Sequence, residues 1–477
     1  MGTMNVLIIS LYVLALITFG VIGRKRSTSN EEFRVAGRRL GGFLYTSTLC
    51  ALVLGGASTI GGVALGYKQG IAGMWLVVSL ALGVIILSLF FAPVITKFKL
   101  YTVSQVLTAR YGSKITTRVS SIVMLAYTIM IAVTSTTAYA SIFRVLFGLE
   151  SIWAILLGAS VVIIYSMLGG MWAITLTDMF QFTFMTIGVF FILLPVSLTK
   201  AGGWTGLTER LDDSFFNPAS IGFSSLATMF VLYTLGQLSG QVIWQRVFTA
   251  RTPGIARWGG ATAGLYVAAY GVAGSIIGMS ARVIEPNLAK ADDAFATLAQ
   301  NYLPAGLGGV VLAAGVAAMM STASGTLIAA STIMRVDIVP MLTGKPAPGR
   351  HEGTVTADRI YLLVLGILAT VLAIFMTDTV TALRTAYNIL IGGLLVAILG
   401  GLIWKRATGF GAILSMAAGT IGVIIGIVIF GVTADKPIYI GLGCALVTYI
   451  IGSLVSKPTA PEIMEKWTAH LKATASP

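Results

Sequence analysis

Charge is scarce in this chain. Asp, Glu, Lys and Arg make up 10% of its 477 residues, hydrophobic residues make up 56%, and the mean hydropathy is +0.92. Soluble domains carry roughly 25% charged residues, so a water-soluble globule is excluded. Cysteine and histidine are scarcer still. Cys50 and Cys444 fall inside apolar runs far apart and read as packing residues rather than a disulfide, and His351 and His470 fall in a loop and the tail. A His-based catalytic group or metal site has no support. No Gly-rich loop ending in Lys-Ser or Lys-Thr occurs, which excludes ATP-driven transport through a P-loop. No nucleophile–base pair stands in the apolar runs, so the chain does not read as an enzyme.

What the chain has in abundance is apolar runs of about 20 residues, each long enough to span ~30 Å of hydrocarbon as a helix. Period-two alternation, the mark of a membrane barrel, is absent. The expectation is an all-α polytopic membrane protein with about 13 transmembrane helices. They lie near 4–23, 42–66, 71–96, 116–142, 151–170, 174–198, 222–245, 258–281, 304–332, 356–376, 380–404, 408–431 and 437–455. The first run is too long for a signal peptide and ends on Arg24-Lys25-Arg26, so it reads as a retained helix.

The net charge of +14 reflects orientation rather than nucleic-acid binding. With the end of the first span in the cytoplasm, 23 of the 31 Lys and Arg fall on the inner side and eight on the outer. The positive-inside rule then places the N-terminus outside and the C-terminus in the cytoplasm. Short, acid-poor loops suit a bacterial or archaeal inner membrane.

Three polar features interrupt the apolar background. Asp178 lies just inside the sixth span, where a carboxylate costs at least ~2.5–3.5 kcal/mol and marks an ion or solute path. No buried Lys, Arg or Glu is expected within the spans. In the ninth, Ala318, Ser321 and Thr322 stand at i, i+3 and i+4 and share a face. Two hydroxyl oxygens there suit a hard cation. The second span carries "GGASTIGG" at 55–62, poor helix material that predicts an unwound segment lining a cavity. The seventh span has a matching interruption at Gly236, Gln237, Ser239, Gly240 and Gln241. Breaks at corresponding places five spans apart predict a five-plus-five inverted repeat of spans 2–6 and 7–11, with the first helix of each broken. The expected division within one transporter domain, 1–477, is an extra helix and loop (1–39), repeat one (40–200), repeat two (222–405) and two further helices with a short tail (406–477).

These stretches also carry a resemblance. "EEFRVAGRRLGG" (31–42), "GASTIGG" (56–62), "GGMWAITLTDMFQ" (169–181), "QVIWQRVFTAR" (241–251) and "AAMMSTASGTLIAAS" (317–331) are similar, in order and spacing, to motifs of the sodium:solute symporters. That group carries proline, sugars, sialic acid, pantothenate and choline on a LeuT-like inverted-repeat fold. The resemblance covers residues 30–405. It implies a sodium ion as the coupling ion, held by the carbonyls of Ala57, Ile60 and Ala318 and the hydroxyls of Ser321 and Thr322. A second cation site in some members would fall on Asp178, Ser321 and Ser324. Here the last expected serine is Gly325, which favours one sodium over two.

Thr59, Trp75, Tyr139, Tyr233, Gln237 and Gln241 are the polar and aromatic residues placed to line a solute cavity. With Asp178 the one acid in the spans, a neutral or zwitterionic organic solute is expected, amino-acid-like or a quaternary amine held by cation–π attraction. The expected function is sodium-coupled import by alternating access. Two rivals are proton coupling through Asp178 and a transporter-fold sensor. The 22 residues after Val455 supply no output domain for the latter.

Overall fold

The computed structural model describes residues 3–346, 355–376 and 378–472, and His351 lies outside them. Hydrocarbon offers no hydrogen bonds, so apolar segments must satisfy their own backbones, and the helix does so within one segment. Among the described residues the chain is helical throughout, with one isolated bridge, Leu40 to Ala250, and no strand.

In chain order the main helices are α1 (Thr3–Arg26), α2 (Gly42–Val53), α3 (Gly56–Gln69), α4 (Trp75–Ile86), α5 (Lys114–Phe147) and α6 (Ser151–Met185). They continue as α7 (Phe223–Ser239), α8 (Gln241–Val247), α9 (Gly260–Ile284), α10 (Leu307–Ile333) and α11 (Thr356–Ile374). The last three are α12 (Thr379–Ile403), α13 (Gly409–Phe430) and α14 (Lys436–Val455).

Ten of the described helices are long and apolar enough to cross a membrane, or eleven when the bent pair α7–α8 is taken as one span. The count of 13 expected from sequence is not reproduced. The difference lies in two stretches, Gly56–Phe98 and Ser151–Lys200, of 43 and 50 residues. Each holds parts of two expected spans joined by a turn too tight to register as a loop. In α6 the turn is Gly170, at φ 54°, ψ −144°, a conformation that L side chains rarely adopt. A Cβ there would also lie 2.5 Å from the ring of Phe33.

α10 is the centre of the molecule. Every residue from Val311 to Ile333 is buried, and α5, α6, α1 and the broken pair α2–α3 pack around it. α13 and α14 pack on each other and turn Val428, Ile429 and Val455 outward, the pattern of helices facing lipid. In the short helix Asn30–Val35 that follows α1, Arg34 is fully buried and makes a two-pronged ion pair with Asp358 in the first turn of α11, at 2.8 and 3.1 Å. That bond ties the N-terminal loop to the second half of the chain.

Candidate functional site

The stretch "GGASTIGG" divides in two. Helix α2 stops at Val53, Leu54 and Gly55 leave helical geometry (ψ 55° and −168°), and helix resumes at Gly56. The break is thus two residues long, at the start of the stretch, and the remaining small residues are helical. A break frees carbonyls, and each is taken by a hydroxyl. Thr322 Oγ1 donates to Leu52 O at 2.6 Å, Ser58 Oγ to Val53 O at 2.9 Å, and Thr59 Oγ1 to Leu54 O at 3.3 Å. The hydroxyls in the motif therefore replace the helix ladder they interrupt. Gly55 permits the approach of α10: a Cβ there would stand 2.5 Å from Thr322 Oγ1.

On α10, Ala318, Ser321 and Thr322 are all buried, and Thr322 meets this break through Leu52 O. Ser321 Oγ donates to Asp178 Oδ1 at 2.6 Å. A hydroxyl has one proton and two lone pairs. Ser321 and Thr322 both give their protons away, to Asp178 and Leu52, so each keeps only acceptor capacity. Ser324 Oγ turns back to Ser321 O at 3.0 Å. Ala57 and Ile60 are buried in the first turns of α3.

The structure corrects one expectation about charge. Asp178 is not the only charged group buried here. Arg246, on α8, is 1% exposed and its Nη2 donates to Asp178 Oδ2 at 3.0 Å, while Thr48 Oγ1 donates to the same oxygen. Asp178 thus has every near donor supplied by the protein: Thr48 from α2, Ser321 from α10 and Arg246 from α8. Gly325 explains the fit, since a Cβ at that position would lie 3.0 Å from Arg246 Nη2. A serine there would crowd the guanidinium. Sequence reasoning placed Arg246 at the inner surface, yet a signal was present. α8 begins at the mid-membrane break and is seven residues long, so its end lies about 10 Å on, short of the ~15 Å to the surface.

The six residues expected to line the cavity separate. Gln237 lines a small cavity beside the first break, together with Tyr127, Ser135, Thr322 and Tyr387. Thr59 is buried next to it, within 3.3 Å of the Tyr270 hydroxyl. Tyr233 packs edge-on against Tyr387, ring centroids 5.4 Å apart. The other three are turned elsewhere. Gln241 accepts from Val103 N at 2.8 Å and donates to Tyr101 O at 2.9 Å, so its amide is fully used in holding the loop before residue 103. Trp75 Nε1 donates to Pro218 O at 2.7 Å and the ring packs at a tilt against Phe230. Tyr139 packs on Phe143 and fills the space left by Gly158. Tyr127 and Tyr387, which sequence reasoning did not single out, supply the aromatic wall. Their apolar neighbours gave no sign of it. No charged side chain is among the residues lining this cavity.

The model of the sodium:solute symporter family matches residues 33–419, most of the chain. The protein belongs to the sodium:solute symporter family. Members of this family are transporters, not enzymes, and sodium is the coupling ion of solute transport. Among similar proteins are sodium/proline symporters of Staphylococcus aureus. That of strain JH9 is 26% identical, covering 95% of this chain and 93% of the relative, and that of strain bovine RF122 is 25% identical over the same shares. A Na+-coupled sialic acid symporter, solved substrate-bound and outward-open, superposes with a TM-score of 0.83 over 96% of this chain and 99% of its own, at 20% identity. Mhp1, a nucleobase-cation-symport-1 transporter in a closed conformation, gives 0.56 at 14% identity, over 92% and 98% of the two chains. Both show the fold, and this symporter is a multi-pass membrane protein built on it.

Proposed function

We propose that this symporter imports a small neutral or zwitterionic organic solute, amino-acid-like or a quaternary amine, with one sodium ion per cycle. Sodium is held between α3 and α10 by the carbonyls of Ala57, Ile60 and Ala318 and the hydroxyls of Ser321 and Thr322. The observation that carries this reading is the direction of the two hydroxyl protons. Both are already donated, to Asp178 Oδ1 and to Leu52 O at the break, which leaves oxygen lone pairs for a hard cation. Arg246 supports the single ion, because its guanidinium already neutralises Asp178. The same pairing argues against Asp178 as a proton carrier. The uncharged cavity lining, with Gln237 and two tyrosines, suits a solute without net charge, and the sodium/proline relatives fit that class. The membrane is the cell's inner one, with the N-terminus outside.

Sodium binding draws α3 onto α10 and so favours the solute site beside them, and the solute favours sodium by the same factor. Melting temperatures in sodium, potassium and choline chloride at equal ionic strength test the ion site. Sodium at roughly ten times its dissociation constant stabilises by about 1.4 kcal/mol. A sodium-specific rise that disappears in Ser321→Ala is expected. Equal melts in all three salts would overturn the site, and uptake driven by a pH gradient without sodium would restore the proton reading.

A further inference from the structure

A second cavity lies far from the solute site. It lies between the first turns of α5 and the segment that follows α10. Lys114, Arg118 and Lys345 line it, all exposed, and none forms an ion pair among the described residues. Asp337 forms part of its wall and is 5% exposed. Thr102 donates to Asp337 Oδ1 at 3.2 Å, but Oδ2 is buried without a hydrogen bond. Three cations against one carboxylate leave the cavity positive, and an unpaired buried acceptor calls for a donor from outside.

The surroundings narrow the ligand further. Ile115, Arg118 and Ile122 fall at i, i+3 and i+7 and share one face of α5, and both isoleucines are 55% exposed. Leu342, between Met341 and Lys345, is 73% exposed. A basic cavity bordered by exposed aliphatic side chains matches a molecule with an anionic head and acyl chains. Basic pockets between membrane helices on the cytoplasmic side bind anionic headgroups in this way.

We propose that this cavity is a binding site for the headgroup of phosphatidylglycerol, with the phosphodiester among Lys114, Arg118 and Lys345 and a glycerol hydroxyl donating to Asp337 Oδ2. The acyl chains lie along Ile115, Ile122 and Leu342. Its inner-leaflet position rests on the orientation proposed above, but the binding does not depend on the sodium or solute reading. A choline headgroup has no hydrogen-bond donor and brings no net negative charge. Asp337 follows α10 by four residues, so the lipid would brace the helix that carries Ser321 and Thr322.

The test uses the full chain in nanodiscs of phosphatidylcholine alone, or with phosphatidylglycerol or phosphatidylmethanol added, the latter an anionic phosphodiester without a donor. Bound lipid is counted by native mass spectrometry and stability is read as melting temperature. Phosphatidylglycerol is expected to stay bound and raise the melt, phosphatidylmethanol to do so less. Each of Lys114→Gln, Arg118→Gln and Lys345→Gln should weaken binding roughly fivefold, the equivalent of about 1 kcal/mol per basic residue. All three side chains are exposed, so these variants should fold. Ser321→Ala should keep the lipid effect whole, which separates this site from the sodium site. Three results would overturn the proposal: equal melts in all lipids, a phosphatidylglycerol effect that survives the triple variant, or the same rise from glycerol 3-phosphate added to phosphatidylcholine discs. The last would assign the cavity to a soluble phosphate ester.

Discussion

Two helices break in mid-membrane, at Leu54–Gly55 and at Gly240, and they are finished differently. At the first, the freed carbonyls of Leu52, Val53 and Leu54 are capped by hydroxyls, and Ser58 and Thr322 line the cavity beside it. At the second, the indole of Trp244 caps Leu238 O at 2.8 Å, the amide of Gln241 is spent on Tyr101 and Val103, and Arg246 is clamped to Asp178. The first break is lined with small groups that can exchange a proton acceptor for an ion. The second is locked by large side chains with fixed partners. Similar punctuation in sequence thus marks a working joint in one repeat and a strut in the other.

Breaking the strut should have the largest effect. Arg246→Gln strands a buried carboxylate, and removal of one partner from a buried pair costs about 3–5 kcal/mol. A large fall in melting temperature is expected, with partial recovery in the double variant Arg246→Gln, Asp178→Asn. If the double variant melted no higher than the single, the pair would not be the lock described. Next comes the joint. Gly55→Ala drives a methyl group against Thr322, an overpacking worth about 1–3 kcal/mol. Sodium-dependent uptake should drop steeply while the protein still folds, and its sodium-induced melting shift should shrink in step.

Two glutamines sharpen the contrast at smaller scale. Gln241→Ala should lower stability by about 1 kcal/mol through its lost backbone bonds and leave the solute KM close to that of the parent. Gln237→Ala should do the reverse, moving KM with little change in the melt. Equal behaviour of the two would erase the distinction between joint and strut.

The smallest effect is expected at Asp292, in the segment before residue 294. Burial, then the nearby Asp378, raises the pKa of Asp292 above the usual carboxylate value, while Lys68 and a hydrogen bond from Thr379 partly offset this. A raised carboxylate favours the folded arrangement when protonated, so its contribution is full below the ordinary carboxylate range and fades as pH rises through the raised value. Melting curves across the acidic range should show a slope that flattens in Asp292→Asn.

Sequence was informative wherever a feature depended on one segment alone. The apolar runs, both breaks and the shared face of Ala318, Ser321 and Thr322 follow from composition and helical period, and the fold that they imply is the one observed. Features made by two distant segments were not legible. Gln241 and Trp75 look the same in sequence whether they face a solute or a backbone carbonyl, and only Tyr101 and Pro218 decide it. Arg246 read as one more inner-side cation because its partner stands on another helix. The turn at Gly170, by contrast, was legible, because the expected spans 151–170 and 174–198 part beside it.

The ion pair between Asp178 and Arg246 also has a history in time. The two residues are 68 apart in the chain, and at roughly 5–20 residues per second the ribosome delivers the arginine some 3–14 s after the carboxylate. Asp178 therefore enters the bilayer without its counter-charge, in a half-built repeat that waits for the second half to complete it. For that interval the first repeat carries a carboxylate without its partner, and the arrival of Arg246 completes the pair.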